Sequence, residues 1–329
     1  MAQNKQPKIS IVSPSYNHQN FIGKYIKSIL SQTYTNFELI IVDDFSNDKT
    51  LNIVKKFSDS RIKIIKHEFN MGPSLSFNDG INAAQGEYIA FIATDDETLP
   101  TYLEKGIDYL DNHKETGAIC FQLTPIDKNS NVIQDKKLQQ TLKFINIKHF
   151  ELLQKMFTTG NMTPSPGEII RKSILKNIGQ FNPSLLQTQD YDFHTRTLFN
   201  HNIFVYQEPL IKYRILNNKN IDNGSYSSLL RKNIEVQIIL DNYLTLDTNT
   251  LTKIFPNYIK KFGQPTPKTI PYFLARVALS TKDPVRQQWG YLTLIKFIKN
   301  KENLINLHAL HKISFKNITA LINNIKAYV

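Results

Sequence analysis

The stretch GEYIAFIATDDETLP, residues 86–100, joins a short apolar run to an acidic pair. The run EYIAFI (87–92) is typical of a buried strand, because it is short, continuous and rich in β-branched and aromatic residues. Asp95 and Asp96 follow it in one tight loop. The segment therefore predicts a sheet with paired carboxylates at the end of one of its strands.

Similar strands recur upstream and alternate with segments of helical periodicity. We expect strands at KISIVSP (8–14), FELIIVDD (37–44) and IKIIKH (62–67). Apolar residues at i, i+3, i+4 and i+7 between the first two predict an amphipathic helix. Strands separated by crossover helices predict an α/β fold, with a Rossmann-like, mostly parallel sheet that has helices on both sides.

Ligands of such sheets bind beyond the carboxyl ends of the strands. That rule selects three loops, SPSYN (13–17), DDFSND (43–48) and TDDET (94–98). The chain has neither GxGxxG nor GxxxxGK[ST], so it lacks the glycine-rich phosphate loops of dehydrogenases and P-loop NTPases. Another group must therefore neutralise phosphate if a nucleotide binds here.

Two acidic pairs lie in these loops. Asp95 and Asp96 offer the hard oxygen ligands that suit Mg²⁺ or Mn²⁺ bridging a diphosphate. Asp43 and Asp44 could accept hydrogen bonds from a base or a ribose. For both pairs, the alternative is an ordinary turn or helix cap.

Taken together, these segments resemble the inverting family-2 glycosyltransferases, which have the GT-A fold. The resemblance covers about residues 8–215, and the order and spacing of its segments make it specific. The segments are SIVSPSYN, SILSQTYTNFELIIVDDFSNDKT, NMGPSLSFNDGINAAQGEYIAFIATDDETLP, PSPGEIIRKSIL, QDYDFHTR and EPLIKYR.

The resemblance implies a nucleotide-sugar donor of the UDP-sugar class and a glycan or lipid-linked acceptor. It implies that Mn²⁺ or Mg²⁺ is the cofactor and that Asp190 in QDYD is the catalytic base, with Asp192 as the alternative. The remaining assignments are nucleotide binding by Pro14, Ser15, Tyr16, Asp43, Asp44 and Asp95, and metal binding by Asp95 and Asp96.

Two departures from the family pattern support other functions. Many relatives have an acidic residue where this chain has Ala93, and many have an arginine near Phe77. A degenerate module that binds nucleotide or glycan without turnover is therefore an alternative. A sugar-phosphate nucleotidyltransferase is disfavoured, because SPSYNHQ lacks the glycine-rich basic loop which that class needs.

The positive charge is concentrated near the end of the chain. The 329 residues have a net charge of +12, and residues 241–329 hold 13 Lys and Arg against 4 Asp and Glu, which is +9. We predict a catalytic domain over 1–220 and a basic, mainly helical region over 221–329. These helices could contact an anionic membrane, pack on the catalytic domain or mediate homo-oligomerisation; we favour packing because their apolar faces recur. No nucleic-acid-binding pattern is evident, and we expect no such partner.

Cysteine content and the N-terminal sequence bear on location. Cys120 is the only cysteine, so no intrachain disulfide can form. The start MAQNKQPKISIV lacks the features of a signal peptide, and no run approaches about 20 apolar residues. We expect a cytoplasmic protein of a bacterial polysaccharide or lipo-oligosaccharide pathway, with peripheral contact at the inner face of the cytoplasmic membrane as an alternative.

Overall fold

A computed structural model describes residues 6–216 and 225–322. Eight strands form one sheet. They are β1 (Ile9–Ser15), β2 (Phe37–Asp43), β3 (Ile62–Lys66), β4 (Tyr88–Phe91), β5 (Glu97–Thr98), β6 (Thr116–Ile126), β7 (Glu168–Arg171) and β8 (Asn202–Arg214).

Helices separate these strands and follow the last of them. They are α1 (Ile22–Leu30), α2 (Thr50–Val54), α3 (Pro73–Ala83), α4 (Tyr102–Asn112), α5 (Lys136–Thr141), α6 (His149–Thr158), α7 (Leu175–Ile178), α8 (Gln189–Leu198), α9 (Tyr226–Asp241), α10 (Thr248–Ile254), α11 (Pro256–Phe262), α12 (Ile270–Leu279), α13 (Pro284–Ile298), α14 (Lys301–His311) and α15 (Phe315–Ile322). Short 3-10 helices occur at Lys172–Ile174, Asn242–Thr245 and Pro267–Thr269.

The strand order β3-β2-β1-β4-β7-β6-β8-β5 brings the predicted loops to one edge of the sheet. β1 pairs in parallel with both β2 and β4, so the carboxyl ends of these three strands lie side by side. β7 is antiparallel to β4 and β6, whereas β6 and β8 are parallel. The predicted α/β fold with a mostly parallel sheet and flanking helices is confirmed.

The crossover helices form because their apolar residues match the helical period. α1 buries Ile22, Tyr25, Ile26 and Ile29, the face that the sequence predicts. These side chains join β1, β2 and β4 residues in one hydrophobic core. The core therefore holds the strands whose ends carry the acidic pairs.

One strand is longer than its sequence pattern predicts. The apolar run GAICFQ (117–122) predicts a strand that ends at residue 122, but β6 continues to Ile126 because it pairs with β8 over most of its length. The pairing of distant strands thus extends β6 past its local sequence signal.

The described residues divide into two compact units. The first comprises 6–146 and 163–216, and the second comprises 147–162 and 225–322. Helix α6 thus belongs to the second unit, although it interrupts the first in the sequence. The predicted domain boundary between residues 220 and 221 lies outside the described residues.

The second unit is helical and has a core of its own. Its core cluster includes Tyr272, Leu294, Phe297, Leu307 and Ile318. The side chain of Ile295, which the periodicity placed on the packed face of α13, is instead exposed. No helix within 6–216 or 225–322 is both long and apolar enough to cross a bilayer.

Candidate active site

The ends of β1 and β2 present two buried oxygens that lack hydrogen-bond partners. Ser15 and Asp43 are neighbours in the parallel register of these strands. Ser15 Oγ and Asp43 Oδ1 are both buried, and neither has a partner within the described residues. Because an unsatisfied buried polar atom is costly, this pair is suited to receive hydrogen bonds from a ligand.

Backbone and side-chain hydrogen bonds hold the two loops after these strands together. The Asn17 amide donates to Ser46 Oγ at 3.0 Å, and the Asn47 amide donates to Asn17 Oδ1 at 3.0 Å. Pro14 is buried at the end of β1, whereas the Tyr16 ring is exposed at the loop surface. The loops thus combine a fixed backbone with an exposed aromatic ring, which can stack on a base.

Asp44 organises the segment that follows β3. Its carboxylate accepts hydrogen bonds from the Met71 amide at 2.7 Å and the Gly72 amide at 2.8 Å, and lies 2.8 Å from His67 Nδ1. Gly72 has a φ of +85°, a backbone conformation that favours glycine. Asp44 therefore has both oxygens engaged by the protein, and its role toward a nucleotide base stays a prediction.

Asp95 and Asp96 lie directly after β4, at the same edge of the sheet. Asp96 is buried and accepts a hydrogen bond from the Arg214 amide at 2.8 Å, whereas Asp95 is partly exposed. Burial raises the pKa of the Asp96 carboxyl well above its usual range, and the charge of Asp95 raises it further, with Arg214 opposing both. The charged pair is thus electrostatically unfavourable without an added positive charge.

The Arg214 side chain is fully buried and anchors this acidic loop. Its guanidinium donates to the Asp95 carbonyl oxygen at 2.6 Å and to Glu97 at 2.7 Å. It also donates to the Asp127 carbonyl oxygen and lies 4.8 Å from the centre of the Phe21 ring. Arg214 therefore fixes the backbone that presents the two carboxylates.

Two groups of side chains could hold a metal ion. Asp95 and Asp96 provide hard carboxylate oxygens at the sheet edge, and their mutual repulsion would be relieved by Mg²⁺ or Mn²⁺. A second group, Cys120, Glu168 and His194, has ligand atoms within 4.8 Å of one another, but all three residues are buried. The carboxylate pair fits a diphosphate-bound cation better, because it offers only oxygen ligands and Asp95, unlike the members of the second group, is partly exposed.

Helix α8 carries the two candidate bases on different sides. Asp190 is partly exposed, and one of its oxygens accepts a hydrogen bond from the Tyr191 amide at 2.8 Å. Asp192 is buried and forms an ion pair with Arg196 at 2.6 Å. Solvent access favours Asp190 as the base, because Asp192 is already engaged with a cation.

The helix that carries Asp190 also contributes His194 to a buried ion pair with Glu168. His194 lies one turn after Asp190, and its Nε2 is 3.2 Å from Glu168 at the start of β7. The other ring nitrogen is 2.6 Å from Thr163 Oγ1. Burial alone lowers the pKa of His194, but the nearby charge of Glu168 outweighs that effect, and the charge of Asp190 adds to it, so the pKa is raised. The ion pair thus connects α8 to the sheet.

Phe77, where relatives often carry an arginine, belongs to an aromatic cluster. Its ring stacks on Phe181 with centroids 5.0 Å apart, and it meets the edge of Phe91 at 5.5 Å. Phe193 of α8 stacks on Phe181 at 4.5 Å. Phe77 therefore has a packing role, which joins α3 to α8.

With this geometry in place, comparison with known proteins identifies the family. The sequence profile of "Glycosyl transferase family 2" matches residues 10–179, more than half of the chain. The chain belongs to glycosyl transferase family 2. This transferase is 34% identical over 253 residues to the uncharacterized glycosyltransferase MJ1057 of Methanocaldococcus jannaschii, a match that covers 75% of this chain and 81% of that protein.

A shorter match joins this transferase to a named enzyme. It is 41% identical over 102 residues to the UDP-Glc:alpha-D-GlcNAc-diphosphoundecaprenol beta-1,3-glucosyltransferase WfgD of Escherichia coli. That match covers 31% of this chain and 40% of that protein. Together with the family match, it supports glycosyl transfer as the general function.

Solved structures confirm the GT-A-type fold. TarS of S. aureus in complex with UDP-GlcNAc has a TM-score of 0.60 and 19% identity, covering 94% of this chain and 93% of that one. The mannosyltransferase PcManGT of Pyrobaculum calidifontis, with GDP-Man and Mn²⁺, has a TM-score of 0.52 and 14% identity, covering 97% and 84%. At these identities the likeness establishes the fold alone.

Sequence reasoning missed three groups in this transferase's site. Arg214 ends the quoted segment EPLIKYR, but nothing local links it to a loop 118 residues earlier. His67 directly follows the last residue of β3, and this position could have predicted that it lies with the acidic pairs at the carboxyl ends of the strands. The sequence around Glu168 and His194 does not predict their ion pair, because Glu168 lies on β7 and His194 lies on α8.

We expect the stability that the His194–Glu168 ion pair provides to decrease as the pH rises. Because the folded-state pKa of His194 is raised, this stabilisation is fully present below the unfolded-state value of about 6.5 and is lost as the pH rises through the folded-state value. Glu168→Gln should lower the free energy of unfolding by about 3 kcal/mol in mildly acidic solution, and by less in alkaline solution. Urea unfolding across this pH range measures the difference.

His201→Gln is the matched control for this experiment. Burial, and then the charge of Arg171, lower the pKa of His201, so its contribution to stability has the opposite dependence on pH. An effect of Glu168→Gln that stays constant from acidic to alkaline solution would contradict the charged pair.

Proposed function

We propose that this protein is an inverting glycosyltransferase that transfers a sugar from a nucleoside diphosphate, UDP in our proposal, to a hydroxyl of a glycan or lipid-linked acceptor. One observation carries the proposal. Unpartnered buried oxygens of Ser15 and Asp43 lie at the same edge of the sheet as the carboxylate pair Asp95 and Asp96. Hydrogen-bond acceptors for a nucleoside and ligands for a diphosphate-bound cation are thus on neighbouring strands.

The choice of donor rests on the relatives. The name of WfgD includes UDP-Glc, and TarS is bound to UDP-GlcNAc. PcManGT binds GDP-Man, so the family fold also accepts a guanine nucleotide. We propose UDP-sugar as the donor and retain GDP-sugar as the comparison in the test below.

In our mechanism, the nucleoside lies against Pro14, Ser15 and Tyr16, and its base N–H groups donate to the acidic pair at the end of β2, chiefly to Asp43. Of that pair, Asp43 has the buried oxygen without a partner, while Asp44 holds the adjacent segment in place. This division of roles gives the base a fixed hydrogen-bonding surface.

Asp95 and Asp96 would hold Mn²⁺ or Mg²⁺, which supplies positive charge to the departing diphosphate. We also assign Asp95 to the donor ribose. Arg214 donates to Asp96 Oδ1 and to the Asp95 carbonyl oxygen, which supports a fixed position for both residues. The metal ligands are thus fixed before the donor binds.

Asp190 takes the proton of the acceptor hydroxyl while the hydroxyl oxygen attacks the anomeric carbon of the donor sugar. The bond to the nucleoside diphosphate breaks on the opposite face, so a single displacement inverts the anomeric configuration. Because carboxylates are weak bases, Asp190 accepts the proton late in the reaction, when the attacking oxygen has become acidic.

We further propose that the enzyme works in the cytoplasm, at the inner face of the bacterial membrane, in surface-polysaccharide or lipo-oligosaccharide synthesis. The name of WfgD specifies a sugar linked to diphosphoundecaprenol as the acceptor, and this supports a lipid-linked acceptor for the present enzyme. The charge of +9 in residues 241–329 supports contact with an anionic membrane surface.

Asp96→Asn should weaken metal-dependent nucleotide binding by at least about tenfold, because one carboxylate ligand of the cation is lost. Titration calorimetry with UDP, UDP-sugars and GDP-Man, each with Mn²⁺, Mg²⁺ or chelator, measures the affinity. A preliminary thermal-shift screen is sensitive enough, since a ligand at about 100 times its dissociation constant adds about 2.7 kcal/mol of stability.

Asp108→Asn is the matched control, because Asp108 is exposed on α4 and makes the same charge change outside the site. Equal nucleotide affinity in wild type and Asp96→Asn would remove the metal assignment. Failure of every nucleotide to bind would instead favour the degenerate module, which Ala93 and Phe77 already suggest.

A further inference from the structure

Helix α9 has apolar side chains on its outer face as well as on its buried face. Its inner side buries Val236, Ile239 and Leu240 in the second unit. A second row at i, i+4, i+8 and i+12 is exposed, with relative exposures from 82% at Tyr226 to 41% at Ile238. We call the exposed residues Tyr226, Leu230, Ile234 and Ile238 the α9 row.

Helix α13 has a similar row beside it. Leu292 and Ile295 are exposed on its outer side, followed by the exposed Lys296 and Lys299. Gln237 Nε2 of α9 donates to Gln288 Oε1 of α13 at 3.4 Å, so the two rows adjoin. Trp289 Nε1 donates to Asp241 Oδ1 at 2.8 Å and holds the two helices together.

The two rows form one surface with an apolar part and a basic end. Apolar residues at successive helical turns are unusual in contact with water, and contiguous patches of this kind mark interaction sites. The exposed Asp241 at the C-terminal end of α9 is the acidic residue beside these rows, and Trp289 Nε1 donates to one of its oxygens. The surface therefore has the chemistry of an amphipathic helix that lies at an anionic interface.

We propose that the α9 row, with Leu292, Ile295, Lys296 and Lys299, is the surface that inserts into an anionic membrane. The apolar side chains enter the boundary of the acyl chains, and the lysines contact lipid phosphates. A second copy of the chain fits less well, because a twofold dimer through this surface would oppose the same lysine-bearing rows. The proposal deepens the proposed function, since it names the surface that would bring the site to a lipid-linked acceptor.

Vesicle sedimentation tests this proposal without an acceptor or a measured activity. The full chain is mixed with vesicles of phosphatidylcholine alone, or of phosphatidylcholine with phosphatidylglycerol. We expect binding to the anionic vesicles and at least about a tenfold loss of binding in Ile234→Glu. The double variant Lys296→Glu/Lys299→Glu should lose binding to a similar extent.

Matched controls change the same chemistry in the first unit. Ile145→Glu alters an exposed isoleucine, and Lys27→Glu/Lys176→Glu reverses two exposed lysines. Both controls should keep wild-type vesicle binding. Circular dichroism confirms that every variant is folded, which is expected because all the altered side chains are exposed.

Two results would overturn the proposal. One is equal vesicle binding by wild type, Ile234→Glu and the lysine double variant. The other is a dimer in sedimentation velocity that dissociates in Ile234→Glu while vesicle binding is absent in wild type. Nucleotide affinity is measured on the same preparations, so failure of the membrane surface is distinguished from failure of the proposed catalytic function.

Discussion

Asp190→Asn is expected to lower turnover by about 10²- to 10⁴-fold while donor affinity stays close to that of wild type. The substitution keeps the size of the side chain and removes the group that accepts the proton. Asp190 is partly exposed at the first turn of α8, so its replacement leaves the buried core intact. Release of nucleoside diphosphate from a UDP-sugar, with and without added acceptor, measures turnover, and calorimetry measures donor binding.

Asp192→Asn separates the two candidate bases. Because Asp192 is ion-paired with Arg196 inside the protein, its loss should reduce stability more than it reduces turnover of the folded enzyme. Near-normal turnover in Asp190→Asn, with a large loss in folded Asp192→Asn, would transfer the role of base to Asp192.

Arg214→Met should lower the free energy of unfolding by about 3 to 5 kcal/mol, because Glu97 loses a buried cationic partner and the acidic loop loses its anchor. Metal-dependent nucleotide binding should weaken in the same variant, since Asp95 and Asp96 are no longer held in position. Urea unfolding and calorimetry on one preparation measure both effects.

Arg61→Met is the control for the loss of an arginine. Arg61 pairs with Asp59 at a partly exposed site, so its removal should cost less than about 1 kcal/mol. Arg214→Lys keeps the positive charge without the planar fork, and intermediate stability would show that the geometry matters. Equal stability of Arg214→Met and Arg61→Met would contradict the anchoring role.

The parts of the fold that depend on local pattern could be predicted from the sequence. Helix α1 has its buried face where the apolar period placed it, and β1, β2 and β4 lie within one or two residues of the expected bounds. The acidic pair 95–96 follows its strand as expected, because a short buried strand and a polar loop are both read from adjacent residues.

The parts that depend on distant pairing could not be predicted in this way. Arg214 meets Asp95, and Glu168 meets His194, only after the sheet has brought separate segments together. On α13, Leu294 and Ile295 both belong to an apolar set with the helical period, which predicts that both are packed. In the structure Leu294 is buried, whereas the adjacent Ile295 is exposed. A helical period gives the spacing of a face, while tertiary packing selects which side is covered.

The long sequence separation between Arg214 and the acidic pair also affects how the protein folds during synthesis. The ribosome releases the acidic pair 118 residues before the arginine that anchors it. At roughly 5 to 20 residues per second, this interval lasts about 6 to 24 seconds of synthesis. During that time β4 can pair with β1, yet the acidic loop has no anchor. We therefore expect the nascent chain to bind the proposed donor only after β8, which ends at Arg214, has been synthesised.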